Sequence, residues 1–264
     1  MNVFAPDWLK MPRDLNVIDA NLWPANFVRA NSGEVSIAGV AVNDLTAQFG
    51  TPLYVIDQAD FFARALRVKR ALSAAAESIG TSAKVYYAGK AFLCTEVAGW
   101  ISQLGLNLDV ASGGELAAAL AGGVAPERIG LHGNNKSLAE IGRAVAAGVG
   151  AIVIDSDIEL ERVASAAQAQ DKIVSVRIRV NAGVHAHTHE FLATAREDQK
   201  FGVSRSDVAG MVARIRSDKH LRFLGIHSHI GSQIFEADGF VEAARRLIAV
   251  HAQLSEGGEV PELN

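Results

Sequence analysis

From residue 53 onward, short aliphatic and β-branched runs alternate with segments whose apolar positions recur every three or four residues. The runs fall at residues 53–57, 84–88, 106–111, 128–132, 151–155, 173–180 and 221–228. They are continuous rather than alternating, as expected of strands with helices on one face and packed side chains on the other. Strand, helix, strand in this rhythm is the βαβ signature of a parallel sheet. Three helix starts are announced by Ser-x-x-Glu capping boxes, Ser112 with Glu115, Ser137 with Glu140 and Ser156 with Glu159. Phe62, Ala65, Leu66 and Leu72 share one helical face, and Phe240, Ala243, Ala244, Leu247 and Val250 share another. The repeat is broken at residues 181–203, a polar, His-rich stretch that reads as a loop after a strand, where function concentrates in barrels.

The first fifty residues differ. Trp8, Pro12 and Pro24 interrupt them, and the short apolar stretch at 35–42 is flanked and broken by Gly33 and Gly39. They read as an irregular arm with short strands and one hairpin, and residues 51–264 as an α/β barrel domain. A closed eight-stranded barrel needs more chain than follows residue 260, and residues 260–264 resemble the start of another strand. The expectation is therefore an incomplete barrel, a fragment of a longer polypeptide or a chain whose remainder is left out.

Composition narrows the partners. Across 264 residues, 49% are hydrophobic and 20% charged, so a large core is available. The net charge of −4, with Lys and Arg scattered among Asp and Glu, gives no basic field for nucleic acid. One cysteine, Cys94, excludes an internal disulfide and points to a reducing compartment. It falls in an apolar helical stretch at 92–101 and reads as a small buried hydrophobe rather than a nucleophile. The start lacks a basic segment followed by an apolar run, and no eighteen apolar residues follow one another, so a cytoplasmic protein away from membranes is expected.

The chemistry begins with Lys90, at the carboxyl end of the run 84–88, where barrels keep their active sites. By itself a strand-end lysine reads equally as a solvent-reaching side chain; partly desolvated, it can attack a carbonyl. His185, His187 and His189 have a spacing that on a strand would align three imidazoles, but no cysteine or carboxylate completes the set and the stretch is loop-like, so no metal is expected.

The segment Tyr86-Tyr87-Ala88-Gly89-Lys90-Ala91 resembles the cofactor-lysine motif of the alanine-racemase-like, fold-type III pyridoxal phosphate (PLP) enzymes. Leu108-Asp109-Val110-Ala111-Ser112-Gly113-Gly114-Glu115-Leu116, His132-Gly133-Asn134-Asn135-Lys136 and Gly225-Ile226-His227-Ser228-His229-Ile230-Gly231-Ser232-Gln233 are similar to motifs of the diaminopimelate decarboxylase family, in the same order. The stretch from His187 to Gly202 resembles its actinobacterial branch. The likeness spans about residues 50–264.

That resemblance implies a PLP-binding TIM-type barrel, incomplete in this chain, and decarboxylation of meso-2,6-diaminopimelate to L-lysine. Other fold-type III decarboxylases, acting on ornithine, arginine or carboxynorspermidine, and a non-catalytic PLP-binding barrel are the alternatives. By resemblance, Lys90 would carry the cofactor as a Schiff base and His229 would stack on its ring. Gly231 and Ser232 would meet its phosphate, and Asp109 would lie near the cofactor lysine. Arg179, on the inward face shared with Arg177 and Asn181, would stand near the phenolic oxygen; either arginine could instead be a structural ion-pair partner. Glu115 is divided between cap and site, and Lys200 would anchor a loop near Arg179 and Asp109. The family also implies a homodimer whose active site is shared between subunits, with a C-terminal β-domain and a glycine run beyond residue 264. This piece alone would then bind PLP weakly.

Overall fold

The computed structural model describes residues 16–19, 22–184, 201–232, 234 and 237–264. By contact, two compact units divide between Ser82 and Ala83, whereas the sequence repeat puts the boundary at residue 50.

In the first unit β1 (Phe27–Arg29), β2 (Val35–Ile37) and β3 (Val40–Ala41) form an antiparallel sheet. Ile37 pairs with Val40, so Ala38 and Gly39 are the two loop residues. Both sit at positive φ, 49° and 82°, as the tightest hairpins require. There are two hairpins where one is expected, because three-residue β1 is too short to display a period. The helices α1 (Val42–Phe49) and α2 (Gln58–Glu77) follow. Residues 53–57, expected as a strand, form none. Their last residue, Asp57, is instead the N-cap of α2: its carboxylate accepts from the amides of Ala59 at 2.9 Å and Asp60 at 3.2 Å, and from Asn26 Nδ2 at 2.7 Å.

The second unit is the repeat made solid. Its elements are β4 (Tyr86–Ala88), α3 (Thr95–Gln103), β5 (Asn107–Val110), α4 (Gly113–Ala121), β6 (Ile129–Leu131), α5 (Leu138–Ala147), β7 (Ala151–Ile154), α6 (Asp157–Ala169), β8 (Val174–Arg179), α7 (Arg205–Ser217), β9 (Leu221–His227), α8 (Asp238–Ser255) and β10 (Glu262–Leu263). The strands lie side by side in chain order, all parallel. Six of the seven predicted runs, and the run at 260–264, are therefore strands of one sheet. Strand residues Leu108, Leu131, Ile152, Ile154, Ile178 and Ile226 are fully buried beside Ile101, Leu116, Ile141 and Ile215 from the helices. β7 is buried along its whole length, as a strand covered on both faces must be.

All three predicted serines cap their helices, but the reciprocal box forms only at Ser137 and Glu140. Glu115 and Glu159 reach one residue further back, to the amides of Ala111 and Asp155, at 2.6 and 2.7 Å. They tie each helix start to the end of the preceding strand. Cys94 is corrected: it is the half-buried N-cap of α3, ahead of the helix rather than within it.

The sheet curls until its two edge strands communicate. Glu262, on β10, accepts from Lys84 Nζ at 2.6 Å, just before β4, and from Arg177 Nε on β8 at 3.1 Å and also from Arg177 Nη2. Arg177 Nη2 also donates to Tyr86 Oη on β4 at 3.0 Å, with the guanidinium 5.4 Å from the Tyr86 ring centroid. Arg177 is thus the structural ion-pair partner left open by the alternation. Burial alone would raise the Glu262 carboxyl, but the hydrogen bonds from Lys84 and Arg177 outweigh it and hold the carboxyl below the ordinary range.

β10 approaches β9 closely at Gly225, which opposes both Arg177 and Glu262 because Leu224 is passed over in the β8–β9 register. A Cβ on Gly225 would stand 1.8 Å from the Glu262 carbonyl oxygen, and its φ of +154° suits glycine. Gly225→Ala should therefore cost about 2 kcal/mol in urea unfolding; an unchanged midpoint would contradict this packing.

Among the described residues, no helix is long and apolar enough to cross a membrane.

Candidate active site

A parallel sheet gathers the carboxyl ends of its strands on one side, and there a cavity of about 230 Å³ opens. Lys90 lies in the single 3-10 turn, Gly89–Ala91, that leaves β4. Asp109 is the penultimate residue of β5, His132 follows β6, Arg179 ends β8, His227 ends β9 and His229 comes two residues later. All six line the cavity, with Ala88, Gly89, Val110, Ala111 and Gly133.

Lys90 Nζ donates to Ser232 Oγ at 2.9 Å and lies 3.5 Å from His229 Nε2. The wall beside them is built closely: a Cβ on Gly89 would come within 2.8 Å of the Asp109 carbonyl oxygen, and one on Gly130 within 2.7 Å of Asp109 Oδ1. Glycine at these two positions lets β4 and β6 approach the Asp109 strand. His132 Nε2 stands 2.9 Å from Asp109 Oδ1 but off the direction of a hydrogen bond, so this buried nitrogen has no partner among the described residues. Arg179 Nη1 touches Asp155 Oδ1 at 3.4 Å, a single long contact, and the guanidinium lies 5.1 Å from the Phe201 ring centroid. Among the described residues its other donors have no hydrogen-bond partner.

Two histidines are held neutral near pH 7. Burial, helped by neighbouring His132, pushes His227 down to about 3, while its Nδ1 is hydrogen-bonded to Asn264 Oδ1. The His132 and His227 rings meet edge to face at 4.9 Å. Burial and then the Lys90 charge push His229 down to about 4. His229 is exposed by surface area, so water screens much of its shift, and the His227 depression is the firmer of the two. For a histidine with a lowered folded pKa, the unfolded chain binds protons first. The stability it contributes is complete above about pH 6.5 and is lost as pH falls toward the folded value. For His227 that loss is about 2 kcal/mol between pH 7 and pH 5. Urea titrations at both values should show it, and His227→Gln should remove most of the difference; an equal loss in the variant would contradict the assignment.

The predicted residues divide cleanly. Lys90, Asp109, Arg179 and His229 share the cavity, Ser232 joins through Lys90, and Gly231, at φ +140°, adjoins Ser232 without lining the cavity. Glu115 serves the Ala111 amide and the start of α4 rather than the cavity. Lys200, Gln233, His185, His187 and His189 lie outside the described residues. His132 and His227 stand within the family-like motifs without an expected role; their place at the ends of β6 and β9 is the signal that marks them.

The residues fit a small anionic heterocycle. The volume lies below the roughly 300 Å³ at which drug-sized ligands are usually accommodated, which suits one substituted ring. Two cationic side chains, Lys90 and Arg179, line the cavity with the Asp109 carboxylate and the His132, His227 and His229 imidazoles, and the rest of its wall is Ala88, Gly89, Val110, Ala111 and Gly133.

A family model described as the pyridoxal binding domain of pyridoxal-dependent decarboxylases matches residues 65–262. Diaminopimelate decarboxylase of Mycobacterium tuberculosis is 51% identical over 232 residues, 87% of this chain and 50% of that protein. The Corynebacterium efficiens enzyme of the same name is 42% identical over 241 residues, 90% of this chain and 51% of that protein. The chain spans about half the length of the curated relatives it matches. The crystal structure of diaminopimelate decarboxylase from M. jannaschii in co-complex with L-lysine has a TM-score of 0.80 at 27% identity, covering 90% of this chain and 55% of that one. The match runs from α2 through every strand-end residue of the cavity, and the chain belongs to the pyridoxal-dependent decarboxylase family, whose pyridoxal binding domain it carries.

Proposed function

We propose that the whole protein decarboxylates meso-2,6-diaminopimelate to L-lysine and carbon dioxide, using PLP carried on Lys90. The observation that carries this reading is the convergence of Lys90, Ser232 and His229 within hydrogen-bonding distance at the strand ends of a PLP-binding domain. The substrate rests on the likeness to diaminopimelate decarboxylases, including the one whose structure holds L-lysine.

When bound, PLP supplies an electron-accepting ring conjugated to the substrate amine. The chain's residues set the conditions for it. Lys90 Nζ, held by Ser232, is the amine that would hold the cofactor. His229 stays uncharged at neutral pH, so it can lie beside a heteroaromatic ring without adding positive charge. Arg179 offers fixed donors to an anionic oxygen, and Asp109 sets a carboxylate among the cavity's cations. Gly231 and Ser232 provide a small-residue approach for a phosphate. A homodimer with a shared site, and a cytoplasmic location, complete the proposal; the first rests on the family resemblance and the second on the single cysteine and the biosynthetic reaction.

The test is lysine formation from meso-diaminopimelate by the whole protein. Lysine appearing in step with carbon dioxide is the expected result. Turnover of ornithine or arginine in its place would overturn the substrate, and cofactor binding without any product would overturn the activity.

A further inference from the structure

Behind the cavity wall lies a buried ion pair that no step of the proposed reaction uses. Lys136, in the loop after β6, and Glu159, in the first turn of α6, are both buried, with Nζ 2.8 Å from Oε1. The remaining donors of Lys136 go to the carbonyls of Gly133 at 2.7 Å and Val153 at 2.6 Å, so every proton on the ammonium has an acceptor. The other oxygen of Glu159 accepts from the Asp155 amide at 2.7 Å. The Asp155 carboxylate is in turn the contact of Arg179. One continuous chain of polar contacts thus runs from Lys136 through Glu159 and Asp155 to a guanidinium on the cavity wall.

Placing charge there is costly. Burial lowers the Lys136 ammonium and the attraction of Glu159 opposes it. A buried pair of similar-sized apolar residues would hold the loops together as well or better. What apolar residues could not do is fix the direction of the Asp155 amide and, through it, the carboxylate that orients Arg179. The loops after β6 and β7 need no charge to pack; the arginine needs a fixed partner.

We infer that Lys136 and Glu159 are a positioning pair for the cofactor site, acting through Asp155 on Arg179. This rests on the reading of the cavity as a PLP site. Neither residue touches the cavity; the pair sets where the Arg179 guanidinium stands and hence how tightly an anionic cofactor oxygen is held.

The test is a coupling measurement in the whole protein, reading equilibrium affinity for PLP by dialysis. Lys136→Met should weaken affinity roughly tenfold, the scale of lost outer-shell support at ligand sites, and Glu159→Gln should do the same through the opposite partner. In an Arg179→Ala background both changes should have almost no further effect on affinity. If Lys136→Met does not fold, the isosteric double variant Lys136→Met with Glu159→Leu keeps the packing, and the same loss is expected of it only where Arg179 is retained. A merely structural pair would lower the unfolding midpoint in both backgrounds and weaken PLP equally in both, and that additive result would overturn the inference while leaving the PLP site standing. Failure of the unsubstituted protein to bind PLP would overturn the site reading and this inference with it.

Discussion

Lys90→Ala is expected to lower lysine formation on the order of 10⁴-fold or more, the scale seen when a covalent nucleophile is removed. Lys90 is the one lysine among the described residues lining the cavity. The loss should be chemical rather than structural. Lys90 is exposed in its turn and makes no ion pair among the described residues, so the unfolding midpoint should stay within about 0.5 kcal/mol of the original. A second signature separates this change from a general disturbance. Part of the His229 depression comes from the Lys90 charge, so removing that charge should move the His229 pKa upward toward its ordinary value. Proton NMR titration of the imidazole would record the rise, and an unchanged or lower value would contradict the placement of the two side chains.

Arg177→Met should cost about 3 kcal/mol of stability and leave the chemistry of the cavity alone. Arg177 sits on the same face of β8 as Arg179, two residues earlier and therefore about 6.5 Å deeper along the strand. At that depth it meets Glu262 and Tyr86 on opposite edges of the sheet. Without it Glu262 keeps only the exposed Lys84 among the described residues, and two strands lose their common partner. The sign of the pH dependence follows from the Glu262 carboxyl, whose folded value is lowered. Its contribution is complete above the ordinary glutamate pKa and lost as pH falls below it. The variant should therefore lose less additional stability than the original protein between pH 5 and pH 3. Chemical denaturation at both values checks the magnitude and the sign together, and an equal acid loss would contradict the network.

Much of this is legible in the sequence. Continuous aliphatic runs separated by capped helices need a parallel sheet, and the sheet is there, with its central strands β6, β7 and β8 buried almost throughout. The run at 53–57 misled because Val55 and Ile56 have strand composition, while Asp57 ends the segment as the cap of α2. Pattern sees side-chain type, and the cap is decided by the hydrogen bonds that the Asp57 carboxylate accepts from the Ala59 and Asp60 amides. The strand β1 was missed for lack of length. In the site, strand-end position and motif led to Lys90, Asp109, Arg179 and His229. The alternation of Arg177 and Arg179 gave the face but not the depth, and depth divides an ion pair to β10 from a cavity donor. His132 and His227 fall inside motifs without a role of their own, since a buried imidazole and a site imidazole have the same sequence signature. The Lys136–Glu159 pair was hidden for a further reason. Glu159 has the spacing of a capping box, and only the fold reveals that its carboxylate passes over its own cap to reach Asp155.

The central claim is that the strand-end cavity holds PLP on Lys90. Borohydride reduction of the whole protein incubated with PLP, followed by peptide mass mapping, tests it most directly. A pyridoxyl modification confined to Lys90 is the result predicted; modification spread over surface lysines with Lys90 untouched would contradict it.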